Sequence, residues 1–140
     1  MNKEEIAIKL HNAKRIDEYK GDMTSYAIQS IEQGRSNYPV ANLINYCRGV
    51  HLQLCITDMT TEDSYRATSI LDVHKVIKLM MKRYGIDMQG IYQLTGIHYT
   101  PPSSFDTQQN LNKKHSAPLS INTLLAVCDA LHCDLSFCLN

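Results

Sequence analysis

The feature that most constrains this chain is a self-similarity. Displaced by 81 positions, residues 40–56 overlie residues 121–137. Val40 meets Ile121, Leu43 meets Leu124, Ile44 meets Leu125 and Cys47 meets Cys128. Val50 then meets Leu131, His51 meets His132, Leu54 meets Leu135 and Ile56 meets Phe137. Apolar positions match throughout, and the unit reads as a helix, a turn at the histidine and a strand. Any two amphipathic helices align to some degree, but the shared histidine and the trailing strand argue for two copies of one supersecondary unit.

Taken in order, residues 4–17 read as a helix. Ile6, Leu10, Ala13 and Ile16 form its apolar stripe, with Glu4 and Glu5 in the first turn and Lys14 and Arg15 in the last, as the helix dipole favours. Residues 17–23 are short and polar and hold a turn or at most one helical turn. A helix is expected from Pro39 to Arg48, buried along Val40, Leu43, Ile44 and Cys47 and ended by Gly49. Alternation at Val50, Leu52, Leu54 and Ile56 predicts a short strand. Residues 57–69 carry few large apolar side chains and read as a linker. Ser69 with Asp72 resembles a capping pair for a helix to Tyr84, whose stripe is Ile70, Val73, Ile77, Met80 and Tyr84. Lys75, Lys78, Lys82 and Arg83 give that helix a basic outer face, which reads as solvated. Gly85 breaks it, and Asp87 caps a shorter helix ending before Gly96. Thr100-Pro101 starts either a helix to about Leu111 or an extended loop. A helix returns from Ser120 to Ala130, followed by a strand in CDLSFCLN.

The stretch Met23–Val40 carries the functional signal. Thr24 is an expected N-cap, Ala27, Ile28 and Ile31 share an apolar face, and Gly34 suits the left-handed stop. Ser25, Tyr26, Gln29, Ser30 and Gln33 are assigned to the opposite face, which then carries almost only hydrogen-bonding groups. A short neutral polar face on an anchored back is what major-groove reading requires. The competing interpretation is plain solvated surface.

Composition bounds the partners. With 14 basic and 14 acidic residues the net charge is zero, which counts modestly against nucleic acid without excluding it. An apolar fraction of 44% permits a core in one domain or two small ones. No long apolar run exists, and MNKEEIAIKL does not read as a signal peptide, so a cytoplasmic protein is expected, with no membrane partner. The five cysteines, Cys47, Cys55, Cys128, Cys133 and Cys138, contain no Cys-x-x-Cys and read as buried free thiols. His132, Cys133 and Cys138 match no zinc spacing, so neither metal nor cofactor is expected. Cys128 near His132 lacks a third group to orient a base, and no catalytic residues are assigned.

Ile28-Gln29-Ser30-Ile31-Glu32-Gln33-Gly34, followed by SNYPVANLINY and the VHL turn, resembles the Cro/repressor-type (XRE-like) helix-turn-helix family over residues 4–56. KLMMKRYGIDMQGIYQLTG and LSINTLLAVCDALHCDLSF are similar to that family's first two and last two helices, while the middle of the second half departs from it. The resemblance implies a mainly α fold: two tandem lambda-repressor-like helix-turn-helix units, 1–57 and 70–140, joined by a linker 58–69, each ending in a short β-strand, the second degenerate. It implies a sequence-specific transcriptional regulator, repressor or antitoxin, on a double-stranded DNA operator. A homodimer is implied, with a toxin as a further protein partner. Carried over by position, the DNA-binding residues are Thr24, Ser25, Tyr26, Gln29 and Ser30 on the recognition helix and Arg35, Ser36 and Asn37 at phosphates. Glu32 is expected to pair with a basic side chain inside the domain. The alternative is a protein-interaction or dimerisation module that kept the fold without DNA binding. The strands near Leu52–Ile56 and Leu135–Leu139 are expected to pair, within one chain or between two.

Overall fold

The computed structural model describes residues 1–11, 23–102 and 118–139. In order it contains α1 (Lys3–His11), α2 (Ser25–Gln33), α3 (Val40–Gly49), β1 (Leu52–Asp58) and β2 (Ser64–Ala67). These are followed by α4 (Ile70–Tyr84), α5 (Met88–Thr95), α6 (Ile121–Ala130) and β3 (Cys133–Leu139). The architecture is thus mixed, helices around a small antiparallel sheet of order β2-β1-β3. The C-terminal part of the helix expected over 4–17, the turn or single helical turn expected at 17–23, and the segment from Thr100-Pro101 to Leu111 fall wholly or largely outside the described residues.

Local chemistry sets the helix ends where it was expected to. Thr24 Oγ1 accepts from the Ala27 amide, Ser69 Oγ from Asp72, Asp87 from Gly90 and Ser120 Oγ from Thr123. Gly34, Gly85 and Gly96 close three helices in the left-handed region, where a Cβ is penalised. The end of α3 differs from expectation. Gly49 is its last helical residue and is buried, and the left-handed residue is His51, at φ 57°. His132 takes the same conformation, at φ 55°.

The repeat is expressed residue for residue. Helices α3 and α6, strands β1 and β3, and the two left-handed histidines all begin and end 81 positions apart. The copies also meet each other about a local two-fold axis. Cys55 pairs with Ser136 at the centre of the β1–β3 ladder, and these are equivalent positions of the repeat. A second equivalent pair, Pro39 and Ser120, forms an isolated bridge at the helix starts. There Val40 N donates to Leu119 O at 2.9 Å and Ile121 N to Tyr38 O at 2.8 Å. The expected pairing of the two terminal strands therefore occurs within one chain.

One core runs through both copies, joining Ile6, Leu10, Ile31, Leu43 and Leu54 to Val73, Ile77, Met80, Ile121, Leu124 and Leu135. Burying side chains of this size stabilises by roughly 1.5–3 kcal/mol each. The region 58–69 is not a linker: it holds the turn after β1 and the whole of β2. With four residues, β2 is too short to show a period, and it is specified by its partner strand. Tyr65 and Ala67 turn toward the core while Ser64 and Arg66 face out.

The cysteine reading also changes. Cys55 and Cys138 form a disulfide across β1 and β3, with their Cα atoms 6.6 Å apart. The register places Cys138 opposite Gln53, so Cys55 and Cys138 are diagonal neighbours on the outer face of the sheet, within the Cα range such bonds require. Cys47, Cys128 and Cys133 remain free and buried. Burial pushes the Cys47 thiol up to about 12 and that of Cys133 to about 11, so neither is a thiolate at neutral pH.

Candidate nucleic-acid interface

Helix α2 is fixed from behind by two neighbours. Ile31 is fully buried. A Cβ on Gly34 would stand 2.8 Å from the Lys3 carbonyl oxygen and 3.1 Å from the Ala7 Cβ, so α1 lies directly against the helix end. On the other side Tyr46 Oη of α3 donates to Glu32 Oε1 at 3.1 Å. Glu32 is therefore a structural link between α2 and α3.

The outward face is narrower than the sequence suggested. Ser25, Tyr26 and Gln29 are exposed, Tyr26 at 75%. Ser30 is not: it is 6% exposed, and its hydroxyl donates to the Tyr26 carbonyl at 3.0 Å. The reason is helical phase. Ala27, Ser30, Ile31 and Gly34 follow one row toward α1, and a serine in that row satisfies its hydroxyl on the preceding turn. Ser30 thus cannot present its side chain to a ligand without leaving the helix backbone. Thr24 is exposed, but its hydroxyl is engaged as the N-cap.

Past the helix, Arg35 and Ser36 are exposed. Neither makes a side-chain hydrogen bond or ion pair to the described residues. Asn37 is exposed but committed: its Oδ1 accepts from Tyr38 N and from Asn122 N, both at 3.1 Å. The second contact reaches the first turn of α6, so Asn37 helps to cap a helix of the other repeat. Of the eight predicted residues, Ser25, Tyr26, Gln29, Arg35 and Ser36 are thus exposed along and just beyond α2, with no side-chain partner among the described residues.

Two polar clusters elsewhere gave no sequence signal. Asp58, in the stretch read as linker, is fully buried. Its Oδ2 accepts from Tyr84 Oη and from Arg83 Nη1 at 2.7 Å, and its Oδ1 from Thr60 N at 2.9 Å. The Tyr84 hydroxyl above all, with the Thr60 amide and the Arg83 guanidinium, holds this carboxyl well below the usual carboxylate range. Arg83 Nη2 also donates to Tyr65 Oη at 2.9 Å, so Arg83 ties α4 to both strands of the hairpin rather than lying on a solvated face. In the second cluster, His74 Nδ1 and Tyr99 Oη lie 2.6 Å apart, both residues buried. Desolvation, with Lys78 nearby, lowers His74 to about 4. The first cluster joins β1, β2 and α4, and the second joins α4 to the segment after α5. Among the described residues no group of three or more His, Cys, Asp or Glu side chains gathers as a metal site. No helix among them is long and apolar enough to cross a membrane.

No protein-family model, curated protein or solved structure matches this chain. The functional reading rests on the side chains themselves.

Proposed function

We propose that the protein is a sequence-specific DNA-binding transcriptional regulator of the helix-turn-helix type that reads its operator with α2. The observation that carries this is the exposed trio Ser25, Tyr26 and Gln29 on a helix capped at both ends and held against α1 and α3. Gln29 can offer its amide to the two hydrogen-bonding sites of an adenine in the major groove, and Tyr26 can contact a thymine methyl or a sugar. Ser25 adds a hydroxyl for a base or phosphate. Arg35 and Ser36, just past the helix, suit phosphate contacts that set register without reading sequence. Ser30 and Asn37 have no part in this reading, since both are satisfied internally.

The test is binding to a duplex selected from a random pool, followed by substitution. Gln29→Ala should relax base preference at one position by roughly 1–3 kcal/mol. Arg35→Ala should weaken all duplexes alike and reduce the salt slope by about one. If both variants bind the selected duplex as the parent does, α2 is not the reading element.

A second reading, a protein-interaction module, has its own support. On α5, Met88 and Tyr92 stand one helical turn apart at 49% and 44% exposure, the Tyr92 ring stacked on His98; Leu94, at 63%, lies on another side of the helix. An apolar helix face of this kind suits a partner protein. Binding to genomic duplexes that shows no steep salt dependence would favour this second reading.

A further inference from the structure

The two repeats can be compared groove by groove, because α3 and β1 of the first correspond to α6 and β3 of the second. Between α3 and β1 lies a cavity of about 50 Å³. Its wall is largely apolar, made by Ile44, Leu52, Leu54 and Ala67, the last from the end of β2. Space of this size holds about four groups as large as a water or a methylene. Arg48, in the last turn of α3, stands in the lining beside Gln53 and Thr68. Arg48 is exposed, and it reaches across to β2 by a long bond, Nη2 donating to Thr68 O at 3.5 Å. Among the described residues no carboxylate pairs with it.

The corresponding groove of the second repeat is occupied, and by this chain itself. Positions 44, 47, 48 and 53 become Leu125, Cys128, Asp129 and Asp134 there. The Met1 ammonium donates to Asp134 Oδ1 at 2.9 Å. That bond above all, with Glu5 and Asp129 in support, raises the pKa of the ammonium, and its charge acts on Cys128. The Met1 side chain is 1% exposed and packs on the core. An unbranched apolar tail with a cationic head therefore lies against α6 and β3. In the first repeat the charge at the head position is reversed. Arg48 and Gln53 stand where the second repeat has two acids.

We propose that the α3–β1 cavity binds a carboxylate carrying a short unbranched apolar tail, the charge-reversed counterpart of the Met1 terminus. The tail lies against Ile44, Leu52, Leu54 and Ala67, where it replaces water on an apolar wall. The carboxylate meets the Arg48 guanidinium, whose parallel N–H groups match its two oxygens. The contact from Arg48 to Thr68 O is long enough to be surrendered at little cost. An ammonium of the same shape is refused, because Arg48 stands where Asp129 would attract it. None of this depends on what α2 binds, and the readout needs no DNA.

The test is a titration of the whole protein, read by NMR at the Ile44, Leu52 and Leu54 methyls. The probes are unbranched carboxylates from acetate to heptanoate and alkylamines of the same lengths. We expect saturable shifts with the carboxylates alone. Affinity should rise roughly fourfold per methylene and level off once about four tail carbons fill the cavity. Arg48 is exposed, so its substitution should leave the thermal midpoint in place. Arg48→Gln should weaken carboxylate binding roughly fivefold. Arg48→Glu should invert the preference, so that alkylamines bind as the Met1 ammonium does in the second repeat. N-acetylnorleucine separates two carriers of this chemistry: binding tighter than hexanoate assigns the site to a peptide C-terminus, weaker binding to a free acid. Shifts that never saturate, or that ignore tail length, overturn the inference. So do alkylamines that match the carboxylates on the parent, or a carboxylate preference that survives Arg48→Glu.

Discussion

At the scale of single residues, Gly34 and Gly85 look interchangeable in sequence, since each follows a helix and each is left-handed, at φ 67° and 65°. Their surroundings separate them. A Cβ on Gly85 would meet nothing within 4 Å, whereas one on Gly34 would press on the α1 backbone. Gly85→Ala should cost only the conformational penalty, ~1–2 kcal/mol. Gly34→Ala adds a backbone displacement and should cost clearly more, ~3 kcal/mol, in chemical denaturation. Two titrating groups give a further prediction. His74 has its value lowered from 6.5 to about 4, so the unfolded chain binds that proton first as pH falls. Stability should therefore drop between those two values, by about 2–3 kcal/mol, and His74→Gln should flatten that part of the profile. Asp58 is also lowered, so its contribution is complete above the ordinary carboxylate range and is lost at more acid pH still. Urea midpoints measured across acid pH, with and without His74→Gln, would separate the two.

At the scale of elements, what could be read ahead was whatever is decided within a few residues. The caps at Thr24, Ser69 and Asp87 and the stops at Gly34, Gly85 and Gly96 are local chemistry, and they appear in the string as they do in space; Ser120, read as the start of a helix, is its N-cap. The repeat was legible too, because burial at matching positions leaves matching apolar residues. What escaped depends on partners distant in sequence. Ser30 looks like surface until α1 is laid beside it. Strand β2 carries too little pattern to announce itself, and exists because β1 presents an edge and Arg83 reaches Tyr65. Asp58 gave no sign of burial, since its acceptors are filled partly by Arg83 and Tyr84, some 25 positions away. On the candidate interface, the exposed trio and Arg35 follow from helical phase, while the diversion of Asn37 to α6 needs the fold.

At the scale of the whole molecule, the two repeats are joined by a shared core, a bridge at the helix starts, a ladder and the Cys55–Cys138 bond. That bond closes a loop spanning 83 positions, which restricts the unfolded chain substantially. Reduction should lower stability by ~4 kcal/mol, as judged from denaturation with and without a thiol reductant. A double variant, Cys55→Ser with Cys138→Ser, should be insensitive to the reductant and resemble the reduced parent.

The placement of β1 between β2 and β3 has a consequence in time. Its hairpin neighbour is at hand as soon as residue 67 has been made, but the strand on its other side is the last element of the chain. A nascent polypeptide emerging from the ribosome must hold Leu54 and Ile56 half-sheltered until residues 133–139 arrive. Closure of so long a span makes for slow folding and an interval in which chaperones have something to hold.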